Sequence, residues 1–318
     1  MDHLWEVLDL AEFRALPWWP RHGERTLSAE QKQAFDTYVA STANILSQRD
    51  SPGGQAGNVA CALASCGIEV ALISKVGDDL LASAALAGLN TVDLSGVART
   101  GATSEAFVFV DQSGNRDILL WCPEEGIPSE IEGTLPDAEF IHFTSLRSIE
   151  QLLVQAKLAQ QLKSTAKTIL DTGNLYAEMG HQSLAPLLRH IDLLFATDKE
   201  LEIMATSKEA ARTLLFQDGL EAICEKSGPN GATLVARDGR AFHCDAAKVK
   251  AIDSTGAGDV LAATFIASVV NGASYEEALK ASVSLASASV MHWGREGYPS
   301  IAGFGVMMNE MHRGRHSI

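Results

Sequence analysis

The sequence has no Cys-x-x-Cys pair and no His/Cys cluster at zinc spacing among its five cysteines (Cys61, Cys66, Cys122, Cys224, Cys244), which speaks against a structural zinc or a redox motif. Most of these thiols are expected to be buried or half-buried. No uninterrupted apolar run reaches about 18 residues, the length a transmembrane helix needs. The amino terminus, MDHLWEVLDLAEFRALPWW, lacks a basic stretch followed by an apolar one, so no signal peptide is read there and a cytoplasmic protein is the default. Positive charge is scarce as well. Against 40 Asp and Glu stand 25 Lys and Arg, a formal net charge of −15. That balance removes the broad electrostatic case for nucleic acid or an anionic membrane and leaves room only for a small basic pocket. A small-molecule ligand is expected.

What is present is ample for a core: 318 residues, 46% of them hydrophobic, suit one large α/β domain. A helix is expected over 30–42 with Ser28 as its cap, then a small-residue helix over 57–66, a strand over 70–74 and a helix over 80–89. Later, strands 140–143, 168–170 and 193–196 alternate with helices 149–163 and 184–188. A hairpin follows over 231–235 and 241–243, then helices over 260–271 and onward to about 292. Such alternation predicts a doubly wound, mostly parallel sheet flanked by helices. Residues 91–121 differ in texture. Their short β-like runs around the turn at 111–115 read as a small antiparallel β lid on a single domain.

Two motifs carry chemistry. In DSTGAGD, at 253–259, Gly256 and Gly258 let the main chain approach a ligand, and the first-turn amides of the helix that follows offer an anion site suited to a phosphate in transfer. A dinucleotide fingerprint is excluded because Leu261 stands where its last glycine would be, and no Walker A sequence occurs. Asp259 could simply be a carboxylate favoured at a helix start. Beside a phosphate, however, it makes sense as a general base that accepts a proton from an attacking hydroxyl. In PGGQAGNVACALASC, Gly53, Gly54 and Gly57 open a backbone turn. Asn58 supplies a donor and an acceptor for a hydroxyl-bearing ligand, or alternatively a helix cap.

With these motifs the chain resembles the ribokinase or PfkB family of carbohydrate and nucleoside kinases over nearly all its length. The run Gly53-Gly54-Gln55-Ala56-Gly57-Asn58-Val59-Ala60, with Gly67 and Gly77, is similar to the family's amino-terminal signature, and 253–259 to its carboxy-terminal one. The resemblance implies a ribokinase-like core of nine or so strands, a β lid closing over a sugar, and transfer of the ATP γ-phosphate to a primary alcohol. It implies Asp259 as base, the amides of Gly256, Ala257 and Gly258 as anion hole, and Asp2, Gly53, Gly54 and Asn58 as substrate ligands. Ser227, Gly228, Gly231 and Thr255 would meet the nucleotide. Glu200 would act on Mg2+ through water, and Asp253, with Thr255, would lie by a monovalent cation such as K+. Lid side chains such as Thr103, Ser104, Phe107, Arg116 and Trp121 would set the acceptor by shape. The implied partners are ATP and a small sugar or nucleoside, in a monomer or homodimer.

Departures from the family pattern are specific. Thr197-Asp198-Lys199-Glu200 keeps the glutamate of the family's Asn-x-x-Glu but loses its amide. Val283 stands where an adenine-contacting asparagine is common, and Leu261 and Thr264 replace a commoner phenylalanine and glycine. The family's first strand, which leads into the substrate aspartate, is expected to be missing ahead of Asp2, with Asp9 as the alternative ligand. A version starting roughly ten residues upstream is therefore expected to be more stable and more active. The stretch GERTLSAEQKQAFDTYV resembles the insertion of adenosine-kinase-like members and favours a nucleoside kinase as runner-up. A non-catalytic sugar-binding regulator is the reading from a different class.

Overall fold

The computed structural model describes residues 1–19, 26–112, 116–123, 126–128 and 137–315. In chain order the elements are β1 (Asp2–Val7), α1 (Leu10–Arg14), α2 (Ala29–Val39), β2 (Ile45–Ser51), α3 (Gln55–Ser65), β3 (Ser74–Val76), α4 (Leu80–Ala85), β4 (Val97–Arg99), β5 (Glu105–Asp111) and β6 (Arg116–Trp121). The second half holds β7 (Phe140–Thr144), α5 (Ile149–Leu162), β8 (Lys167–Asp171), α6 (Gly173–Leu188), β9 (Leu193–Thr197), α7 (Asp198–Met204), α8 (Lys208–Asp218), β10 (Ala222–Lys226), β11 (Ala232–Ala236), β12 (Ala241–Cys244), α9 (Ala257–Val270), α10 (Tyr275–Ser289) and α11 (Ile301–Arg315).

The apolar runs of the second half form a six-stranded sheet in the order β12-β11-β10-β9-β8-β7. Strands β7 to β10 are parallel, and the β11–β12 hairpin closes one edge antiparallel. Continuous apolar strands with both faces covered are what a parallel sheet requires. One core packs Phe195 and Leu234 of the sheet against Val59 of α3 and Val260 and Phe265 of α9. The other packs Leu170, Leu194 and Ile223 against Leu152, Leu188 and Leu215 of α5, α6 and α8. The doubly wound expectation therefore holds, with six strands here and β3 and β4 paired as a separate parallel couple rather than one sheet of nine. Parallel order places the last residues of β8, β9 and β10, namely Asp171, Thr197 and Lys226, on one edge, where ligands bind in open α/β sheets.

The small sheet runs β2-β1-β5-β6, with β1 antiparallel to β2 and parallel to β5. One face buries Trp5, Phe107, Phe109 and Leu119 against Leu10 and Phe13 of α1 and Phe35 of α2. Ser28 caps α2 in a reciprocal box with Gln31. His3 fastens β1 to both neighbours, its Nδ1 2.8 Å from Asp50 Oδ1 and its Nε2 3.0 Å from Glu105 Oε2. Residues 91–121 thus supply two of the four strands, and their first part, β4, pairs with β3 instead. The residues after Met1 do form a strand, but in this small sheet and not in the six-stranded one. Positions 113–115 of the expected turn lie outside the described residues. A cavity of about 1610 Å³ lies between β7 and the chain leading into β3, lined by Val70, Leu72, Phe140 and His142 and reaching Met1 and Gly53.

Candidate active site

The turn ahead of α9 is built by Asp253, whose Oδ1 accepts from the Thr255 amide at 2.9 Å and whose Oδ2 accepts from the Gly294 amide at 3.1 Å. Gly256 then takes φ +76°, a left-handed value that side chains resist, and α9 begins. From Val260 to Ser268 every residue is buried, because the helix runs between the sheet and α10. The first turn of a buried apolar helix, led in by glycines, leaves main-chain amides for an anion.

Asp259 sits in that first turn. Burial pushes its carboxyl up to about 7, and the nearby Asp171 carboxylate pushes the same way; a hydrogen bond from Asn58 and the Lys226 ammonium pull against them. A carboxylate poised near neutrality suits proton abstraction. Its partner is Asn58, whose Nδ2 donates to Asp259 Oδ2 at 2.8 Å while its Oδ1 accepts from Arg295 Nε at 3.2 Å. Asn58 does not cap α3. Gly54 is the cap residue, at φ +87°, and the Asn58 amide donates into the helix. The asparagine side chain, read as a substrate ligand, is thus engaged with Asp259.

Asp2 arrives at the glycine turn from β1. A Cβ on Gly53 would lie 2.0 Å from the Asp2 carboxyl, so only glycine fits beside it. Asp9 is elsewhere: exposed, it caps α1 by accepting from the Ala11 amide at 2.8 Å. Of the two aspartates, Asp2 is the one beside the glycine turn.

Glu200 and Thr197 form a capping box on α7. The Thr197 amide donates to Glu200 Oε2 at 2.9 Å, the Glu200 amide donates to Thr197 Oγ1 at 3.1 Å, and Thr172 Oγ1 adds a bond to the same Oε2 at 3.1 Å. Threonine in place of the family's asparagine therefore serves the helix start. Among the described residues no three His, Cys, Asp or Glu side chains cluster as a metal cage. Glu200 fits a divalent ion that brings most of its oxygen ligands as phosphates and water. In the loop after β10, Ser227 donates from Oγ to Asp198 Oδ2 at 2.6 Å and from its amide to the Gly231 carbonyl at 2.8 Å. Gly231 is forced, since a Cβ there would lie 1.9 Å from the Cys244 carbonyl oxygen, whereas Gly228 faces open space.

Three departures turn out to be packing. Val283 and Leu261 lie in the core, and Thr264 is buried with its hydroxyl on the Val260 carbonyl at 2.7 Å. Among the lid positions, Thr103 is buried and bonds Asp79 through its hydroxyl and amide, and Phe107 is buried under α2. Ser104 holds the Met1 ammonium by its carbonyl at 2.9 Å, and Trp121 is half-buried against the same core. The Arg116 side chain lies outside the described residues.

Asp171, Lys226 and Arg295 were not anticipated. Lys226 donates to Asp171 Oδ2 at 2.7 Å beneath α9. The available signal was a charged residue closing each of two buried parallel strands, the position where an α/β sheet meets its ligand.

The model of the pfkB family carbohydrate kinases matches residues 29–297. An ATP-dependent ribose-1-phosphate kinase of Halopiger xanaduensis is 33% identical over 249 residues, 75% of this chain and 80% of that protein. A deoxyribokinase of Salmonella typhi is 28% identical over 277 residues, 79% and 86% of the two. Two solved structures share the fold. Arabidopsis thaliana ribokinase, complexed with ribose and ATP, superimposes with a TM-score of 0.75 at 19% identity over 96% of this chain and 95% of the other. The adenosine kinase of Sinorhizobium meliloti gives 0.78 at 18% identity over 98% and 96%. A ribokinase fold, a glycine-led helix start with its buried aspartate, and a family match spanning most of the sequence converge: the chain belongs to the PfkB family of carbohydrate kinases.

Proposed function

We propose that the protein transfers the γ-phosphate of ATP to a primary hydroxyl of a small sugar, with Asp259 as general base. The observation that carries this reading is the placement of Asp259 in the first turn of α9, poised near neutrality and held by Asn58. Asp259 takes the hydroxyl proton as the oxygen attacks the γ-phosphorus, the bond from that phosphorus to the β-phosphate oxygen breaks and ADP leaves, and the first-turn amides of Gly256, Ala257 and Gly258 receive the charge that develops on the transferred group. Asp2 and the Gly53-Gly54 turn orient the acceptor, and the four-stranded sheet covers it as a lid. Ser227, Gly228, Gly231 and Thr255 take the nucleotide side. Glu200 would hold, through water, the Mg2+ carried in with ATP, which would supply neutralisation of the phosphate charge. Asp253, with both oxygens accepting amides, would at most hold a monovalent cation at its rim.

A nucleoside acceptor is the second reading. Helices α1 and α2, inserted between β1 and β2 and packed on the sheet face that carries Trp5 and Val7, favour it, because they resemble the insertion of adenosine-kinase-like members. An ATP-consumption screen over pentoses, hexoses, their phosphates and nucleosides separates the two. Turnover confined to sugars supports the first reading, and turnover confined to nucleosides the second. ATP binding with no turnover on any acceptor would support the non-catalytic regulator.

A further inference from the structure

We infer that Lys226 is a further catalytic residue of this site, its ammonium contacting the transferred phosphoryl group from below the first turn of α9. The inference rests on the kinase reading and deepens it. Lys226 ends β10 and immediately precedes the Ser227–Gly231 loop, so one residue joins the nucleotide side to the transfer site. Its side chain is only 11% exposed, and the Asp171 carboxylate that it meets at 2.7 Å is 0% exposed. The stem lies along Gly258: a Cβ built there would lie 3.3 Å from Nζ, 3.6 Å from Cδ and 3.8 Å from Cε. The lysine stem thus lies in van der Waals contact range of the helix start, with its ammonium closest.

Charge explains why a cation belongs there. Asp171, Glu200 and Asp259, from β8, α7 and α9, all act on the ammonium, and together they leave the locality net negative. Bringing a phosphate into such a place is opposed unless a positive group meets it. Burial is the strongest single influence and works against the ammonium, but Asp171, Glu200 and Asp259 together outweigh it and hold the lysine above its ordinary value, protonated. An ammonium carries three donors, and the bond to Asp171 uses one. Asp171 aims the lysine, and the remaining donors serve the incoming oxygens.

The test compares the purified chain with K226M, K226R and the double variant D171N/K226M, which leaves no unpaired buried carboxylate. Calorimetry measures binding of Mg2+ with the β,γ-imido analogue of ATP and, separately, with ADP. Loss of a γ-phosphate contact predicts at least about tenfold weaker binding of the imido analogue by K226M and by the double variant, with ADP affinity within about threefold. It also predicts kcat down by about 10²–10³-fold, the scale of a lost charge-stabilising donor, and substantial recovery in K226R. A purely structural ion pair would weaken both nucleotides alike or neither, and either outcome overturns the proposal. Failure of the unmodified chain to bind either nucleotide would overturn the kinase reading itself, and Lys226 with it.

Discussion

Asn58 Nδ2 donates to Asp259 Oδ2 across 2.8 Å, joining two glycine-led helix starts that lie 201 residues apart in the chain. This bond pulls the carboxyl down against burial, so its loss should leave Asp259 harder to ionise. N58A is expected to move the acid limb of the pH–rate profile to higher pH, with kcat at pH 7 reduced and largely recovered near pH 9. A profile of unchanged shape with only a higher acceptor KM would return Asn58 to the role of a substrate ligand.

The parent enzyme should itself show an acid limb near pH 7, because Asp259 must be ionised to act and its carboxyl is raised to about 7. Measuring kcat from pH 5 to pH 9 tests this. Full activity held down to pH 5 would mean that the base titrates far lower and that burial is relieved when ligands bind.

The same shift has a stability consequence of unusual sign. A carboxyl whose folded value is raised stabilises the fold while protonated, fully so below its unfolded value near 4, and that contribution is lost as pH rises through about 7. D259N keeps a neutral side chain at all pH. It is therefore expected to melt above the parent at pH 8, by an amount on the order of 1–3 kcal/mol, and to match it near pH 4. Equal melting temperatures at both pH values would contradict the burial of that charge.

The glycine turn is sensitive to a single methyl group. In G53A the new Cβ would occupy the place of the Asp2 carboxyl, 2.0 Å away. Acceptor KM is expected to rise at least about tenfold while ATP KM stays within a few-fold. Unchanged acceptor KM would remove Asp2 from the substrate site.

The open cavity beside β7 offers a fifth test. Met1 is among its lining residues and the Met1 ammonium donates to the Ser104 carbonyl, so a segment of five to seven apolar residues joined to Met1 would begin at the cavity wall. Such an added strand should raise the melting temperature by several degrees through apolar burial and new ladder bonds. No change would show that the cavity does not take up a strand.

Much of the fold was legible because its strands are short apolar runs. Residues 140–143, 168–170 and 193–196 could be read as parallel strands from their alternation with helices, and the structure extends each by one or two residues. β10 was hidden by its polar end. Glu225 looks like a surface residue, yet it is 0% exposed, held by Arg212 and by Lys208 at 3.1 Å, partners that only the packed α8 brings near. The strand after Met1 was not anticipated: its buried Trp5 and Val7 alternate with exposed Glu6, but its pairing with β5 spans about a hundred residues. At the site, Asp259 and the glycines stood out because their spacing is local. Asp171, Lys226 and Arg295 did not, because each acts through a contact made only by the tertiary fold.

The central claim is that Asp259 is the base, and D259N tests it most directly. With an acceptor identified by the ATP-consumption screen, the amide should lower turnover by at least 10²–10⁴-fold while binding of acceptor and of Mg2+ with the imido analogue stays within a few-fold, since shape is kept and only proton acceptance is lost. Turnover of D259N within tenfold of the parent would contradict the account.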